Sequence, residues 1–145
     1  MHNKLWHLEA VPAGVVDKLK ELILHEALDD FYLAGGTALA LHLGHRISRD
    51  LDFFSESFDE ESVFARLQAM GPLSVISKGR ETLHIHLEGV RISFLGYPYP
   101  LLCAPELFHG VAVADQRDIA CMKLSVRYCG KGFKAEFYRP LCAFK

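Results

Sequence analysis

The chain has no CxxC pair and no paired Cys/His spacing; its four cysteines, Cys103, Cys121, Cys129 and Cys142, are scattered. A zinc ribbon is thereby excluded, and reduced packing thiols are the plain reading. No run of about 18 apolar residues occurs, and the opening MHNKLWHLEAVPAG lacks a basic start followed by an apolar stretch. Neither a membrane helix nor a secretory leader is expected, and the protein is read as cytoplasmic. An excess of one charge is missing too: 16 basic residues against 18 acidic leave a net charge of −2. That excludes a strongly basic nucleic-acid wrapper but leaves room for a local basic patch. What is present is enough for one core: 145 residues, 50% hydrophobic, 11% aromatic and 23% charged. A single globular domain over 1–145 is expected.

Val15, Val16, Leu19, Leu22 and Ile23 recur at helical spacing, predicting a helix over residues 12–28 that Pro12 can open. Residues 31–34 form a short apolar run between Asp29-Asp30 and Gly35-Gly36, as a buried strand does, and residues 37–43 are good helix formers closed by Gly44. A second strand is predicted over 50–54, then a helix over 55–70 capped by Ser57 or Asp59. Extended runs follow at 73–77, 82–87 and 90–95, the last two joined by Glu88-Gly89, and a final helix at 115–128. Tyr97-Pro98-Tyr99-Pro100 must be irregular. The class is α+β (mixed α/β), a mixed, mostly antiparallel sheet flanked by helices.

Two short segments carry chemistry. Gly35-Gly36-Thr37 leads a strand into a helix, which puts unpaired backbone N–H groups and a positive helix end where no Cβ hinders an anion. Neither GxGxxG nor GxxxxGK[ST] is present, so taken alone the glycine pair is more often a tight turn. Asp50-Leu51-Asp52 is the second: alternate strand residues share a face, so both carboxylates project together while Leu51 and Phe53 point inward. Alone, such a pair is more often a solvated strand end. Together, an anion-binding turn and a dicarboxylate separated by one short helix suit metal-assisted phosphoryl transfer, with Mg²⁺ or Mn²⁺ held by oxygen ligands. Arg46 lies between them and is placed either to hold a phosphate oxygen or to pair with Asp50. His84 and His86 share a strand face with no Cys or acidic partner nearby in sequence, which favours packing over a zinc role.

The segment FYLAGGTALALHLGHRISRDLDFFS, residues 31–55, resembles the signature of the AbiEii/AbiGii-type nucleotidyltransferase toxins, members of the DNA polymerase beta-like nucleotidyltransferase superfamily. The likeness continues in VRISFLGYPYPLL at 90–102 and VADQRDIACMKLS at 113–125, so the recognisable blocks span 31–125. The resemblance implies a nucleotidyltransferase fold in which Gly35, Gly36 and Thr37 hold an NTP triphosphate. It also implies that Asp50 and Asp52 bind the metal, that Ser48 shapes the phosphate site, and that Lys123 of the DIxxxK block contacts the phosphates. An RNA acceptor, a tRNA 3′ end included, and a cognate antitoxin are the implied partners.

The sequence departs from that pattern in two places. Where such transferases carry a third carboxylate on a later strand, this chain has Ser93. After the DIxxxK helix the family continues with a block like KKDFIDLY and further helices, whereas residues 129–145 read CGKGFKAEFYRPLCAFK. Phe137-Tyr138-Arg139 can be encoded so that the next reading frame gives Phe-Ile-Asp, which points to a frame-disrupted tail lacking the family's C-terminal helices. The alternative expectation is therefore an inactive, truncated member that binds a nucleotide or a protein partner.

Overall fold

Alternation of apolar and polar side chains along short strands builds the centre of the molecule, which the computed structural model describes over residues 5–129, with side chains through Leu124. A 3-10 turn at Leu8–Ala10 precedes α1 (Ala13–Leu24), β1 (Tyr32–Ala34), α2 (Gly35–Leu43), β2 (Leu51–Ser55) and α3 (Glu60–Gln68). Then come β3 (Leu73–Gly79), β4 (Thr82–Leu87), β5 (Val90–Gly96), β6 (Glu106–Phe108), β7 (Val111–Val113) and α4 (Gln116–Cys129). The strands form one seven-stranded sheet in the order β3-β4-β5-β2-β1-β7-β6. Its β2·β5 and β1·β7 pairings are parallel and the other four antiparallel. The chain thus forms the mixed, mostly antiparallel sheet with flanking helices that its patterning predicts.

One face of the sheet is the core. Leu33, Phe53, Ile85 and Phe94 are fully buried there, as are Leu19 and Leu22 of α1 and Leu67 of α3. Phe53 stacks on Phe94 at 5.4 Å between ring centroids, and Phe31 meets Phe94 edge-on at 5.1 Å. Each fully buried side chain of this size contributes about 1.5–3 kcal/mol of transfer free energy. Period-two alternation turns Asp52 of β2, Ser93 of β5 and His84 of β4 to the opposite face. Lys18 of α1 is 4% exposed and is held at 3.0 Å by Glu21 and 3.1 Å by Glu88, which ties the helix to the β4–β5 turn.

Several boundaries differ from the sequence expectation. α1 stops at Leu24 rather than 28, because Glu26 adopts φ +55°, although Ala27 and Leu28 still reach the core. The helix expected from 55 begins at Glu60: Ser55 completes β2, and Asp59, not Ser57, accepts the Ser62 backbone N–H at 3.3 Å. β6 and β7 have three residues each, too few to show alternation, and β7 exists because Val113 pairs with Leu33. Neither Cys103 nor Cys121 is in a disulfide. Cys142 and the Phe137-Tyr138-Arg139 segment lie outside the described residues. Among the described residues no helix is long and apolar enough to cross a membrane.

Candidate functional site

β1 passes directly into α2, and the glycine pair is the first turn of that helix rather than a loop ahead of it. Gly35 has φ +69°, a conformation side chains resist, and a Cβ there would stand 2.5 Å from Asp52 Oδ2. The position therefore brings the helix backbone against the carboxylate. No side chain caps the start of α2, so its first N–H groups and the positive end of its dipole are not taken up by a cap. At Gly36 the missing side chain makes room for Arg46, whose guanidinium lies over the backbone with Cζ 3.3 Å from where a Cβ would be. Arg46 is thus placed over the glycine turn and not in an ion pair with Asp50.

A buried polar clasp holds the loop that follows. Thr37 Oγ1 donates to the Asp50 carbonyl, so Ser48 Oγ, at 2.7 Å, donates to Thr37. The Ser48 backbone N–H donates to the Ala10 carbonyl at 2.8 Å, anchoring the loop to the 3-10 turn as well. Asp50 leaves this clasp immediately before β2, and Asp52 lies within the strand. Both line one cleft of about 480 Å³, together with Gly36, Arg46, Ile47, Ser48 and Arg49. Two carboxylates and two arginines lining one open cleft can take a hydrated cation and a polyphosphate together.

Burial pushes the Asp52 carboxyl above its usual range, and the charge of Asp50 pushes it further. Arg91, His84 and a hydrogen bond from the Ser93 hydroxyl pull it partly back. Asp52 pairs across the sheet with Ser93, which pairs in turn with His84, and His84 Nδ1 lies 2.7 Å from Ser93 Oγ. The residue standing where a third carboxylate was expected thus lies between Asp52 and His84 in the strand register, within hydrogen-bond distance of the histidine. Among the described residues no group of three or more His, Cys, Asp and Glu gathers as a metal cluster, so the carboxylates stand as a pair.

The remaining candidates separate. Lys123 is exposed on α4 and does not line the cleft. His42 is buried and its Nε2 lies 2.7 Å from the Ala114 carbonyl, a packing role. Three residues passed unnoticed in the sequence. Arg49 lines the cleft, and Arg91, paired with His86, lies two places before Ser93 on the same face. Asp118 is 1% exposed, and its two oxygens accept the Leu102 and Cys103 N–H groups at 2.8 and 3.0 Å. Period-two alternation of β5 could have found Arg91; nothing local marks Asp118 as a staple.

Residues 17–96 match the family described as nucleotidyl transferase AbiEii toxin, type IV toxin–antitoxin system. The chain is 38% identical over 127 residues to an uncharacterised protein of Aquifex aeolicus, aq_aa25, covering 84% of this chain and 61% of that protein. In fold it is similar to JHP933 from Helicobacter pylori, with a TM-score of 0.56 and 16% identity over 83% of this chain and 59% of that one. A second H. pylori structure, described as a candidate nucleotidyltransferase, gives a TM-score of 0.53 and 15% identity over 85% and 62% of the two chains. The chain spans about three fifths of the length of the relatives it matches.

Proposed function

The chain belongs to the AbiEii nucleotidyltransferase toxin family, and from that premise we propose that it transfers a nucleotide from an NTP to an acceptor hydroxyl, as the toxin of a toxin–antitoxin pair. The observation that carries this reading is the meeting of an uncapped helix start and a carboxylate pair in one cleft. Gly35, Gly36 and Thr37 present the backbone on which the triphosphate lies, with Arg46 and Ser48 beside it. The donor set suits a divalent cation: two carboxylates, one with its affinity for protons raised by burial and by the other, leave positions for water and phosphate oxygens. Asp50 and Asp52 would hold such a cation, Mg²⁺ or Mn²⁺, which when bound would supply charge neutralisation for the triphosphate and pyrophosphate.

In the transfer, the acceptor oxygen forms a bond to the α-phosphorus, the bond to the β-phosphate bridging oxygen breaks, and the acceptor proton leaves to solvent. Arg46 and Arg49 face the phosphates and restrict their orientation, which is the main contribution open to residues in this chemistry. Lys123 meets the phosphates only with a substrate that extends out of the cleft toward α4. RNA, a tRNA 3′ end included, is the acceptor class we assign, a cognate antitoxin the protein partner, and the cytoplasm the setting, with 1–145 acting as one nucleotidyltransferase-like domain.

The test is NTP affinity in Mg²⁺ and in EDTA. Asp52→Asn is expected to weaken binding in Mg²⁺ far more than in EDTA, and equal affinity of variant and wild type at saturating Mg²⁺ would remove the site. One observation favours a second reading: Ser93, not an acid, stands beside Asp52. A nucleotide-binding module without transfer would bind NTP with the same metal dependence yet leave labelled NTP and total RNA unjoined.

A further inference from the structure

The sheet has two unlike faces beside the cleft. On the core side of β3, β4 and β5, Leu22 of α1 and Leu67 of α3 join Ile85 and Phe94 in one hydrophobic cluster. Register turns Arg91, His84 and His86 to the other side, together with serines, one threonine and one leucine but no carboxylate. Arg91 and His86 pair across β5 and β4, and both are exposed. Arg91 immediately precedes Ile92, the strand partner of Leu51, so it stands beside Asp50 at the border of the cleft. Asp50 and Asp52 adjoin this face, and their charge is the one assigned to the cation.

The other end of the same face is aromatic. Phe54 lies one strand repeat beyond Asp52, about 7 Å along β2. Its ring meets Tyr97 edge-on at 6.2 Å, and Tyr97 meets Tyr99 in the same way at 5.4 Å. Tyr99, half-buried, ends this run of rings between the exposed Pro98 and Pro100, which restrict its backbone. Asp52 therefore has an arginine one repeat to one side and rings one repeat to the other.

That order matches the end of a polynucleotide, in which the ribose hydroxyls lie between the base and the 5′ phosphate. Single strands bind where cationic side chains follow the phosphates and rings stack on the bases. Resting on the transfer reading above, we infer that this face docks the acceptor as an unpaired RNA 3′ end. The terminal base lies against Tyr97 and Tyr99, its 5′ phosphate on Arg91, and its hydroxyl at the Asp52 end of the cleft. His86, next to Arg91, takes the preceding phosphate. A duplex end does not fit, because its bases stay stacked in the helix.

The full chain is titrated in Mg²⁺, without NTP, with a short single-stranded RNA of mixed sequence, followed by fluorescence anisotropy over a range of salt. Tyr99→Ala is expected to weaken binding about 10-fold, and Tyr99→Phe, which keeps the ring, to bind as the wild type does. Arg91→Gln is expected to lower the slope of log affinity against log salt by about 0.7, the share of one phosphate contact. NTP affinity in Mg²⁺ is expected to stay unchanged in these variants. Unaltered RNA binding by folded Tyr99→Ala and Arg91→Gln proteins overturns the surface, and so does equal affinity for the single strand and its blunt-ended duplex. A fall in NTP affinity with Tyr99→Ala gives the rings to the donor base and overturns it as well. Should Tyr99→Ala fail to fold, Arg91→Gln, at an exposed strand position, and the duplex comparison still decide. The two readings fail separately. RNA bound with these dependences by a protein that binds no NTP removes the transfer and leaves the surface, whereas NTP binding without RNA binding does the reverse.

Discussion

Two aspartates, Asp52 and Asp118, show opposite ways of placing a carboxylate in one small fold. Asp118 is almost entirely buried, yet each of its oxygens accepts a backbone N–H, so the segment at Leu102-Cys103 is pinned to the first turn of α4. Asp52 is less buried but less well satisfied. Its neighbours are a second acid, one serine hydroxyl and a glycine backbone, and the balance raises its affinity for protons. The first arrangement spends its hydrogen-bonding capacity within the protein, whereas the second keeps some unused and pays for it in stability. Unused capacity beside an open cleft is what separates a site acid from a staple.

The largest effect is expected at the staple. Asp118→Ala leaves two backbone N–H groups without their acceptors, and urea unfolding should show a loss of about 3 kcal/mol. A loss below about 1 kcal/mol would mean that water replaces the carboxylate and that the contrast is false. Gly36→Val probes the space beside the site acid: the added side chain displaces Arg46 from above the turn. NTP affinity should fall about 30-fold, equivalent to about 2 kcal/mol, with the unfolding midpoint little changed. Normal binding by the folded variant would reduce the glycine pair to a turn.

The smallest effect has the opposite sign. The folded state raises the Asp52 pKa above its ordinary value of 3.8, so ionising it opposes folding. That cost is absent below the ordinary value and grows as pH rises through the raised one. Asp52→Asn should therefore stabilise the metal-free protein at pH 7, and the advantage should fade toward pH 4 and below. Thermal melts across that range measure it, and a destabilised variant at pH 7 would place Asp52 among the staples.

Much of this contrast was legible in the sequence on one side only. The period-two pattern of DLDFF put Asp50 and Asp52 on one face, and the glycine pair marked the helix start beside them. Periodicity also predicted β4, β5 and α4, because each is long enough to repeat. It failed for β6 and β7, whose three-residue strands depend on a partner distant in sequence. The same limit hid the clasp through Thr37 and Ser48, the reach of Arg46 over Gly36, and the role of Asp118. Each is a contact between segments whose local patterns carry no trace of the other. His84 was visible as a histidine on a strand face, but only cross-strand register shows that the residue between it and Asp52 is Ser93.

The parallel pairing of β2 with β5 has a consequence for how the molecule assembles. β1, α2 and β2 form one locally connected unit, and β3, β4 and β5 form another by consecutive antiparallel pairing. Asp52 and Ser93 meet only at the seam between them, about forty residues apart in the chain. Each unit gains its contacts after closing short loops, while the seam requires a long one to close first, and loop closure is what slows folding. The pairing of Asp52 with Ser93 is therefore made at a late step, when two preformed halves dock, and a chain stalled before that step keeps the cleft and both carboxylates on one half, with Ser93 and His84 on the other.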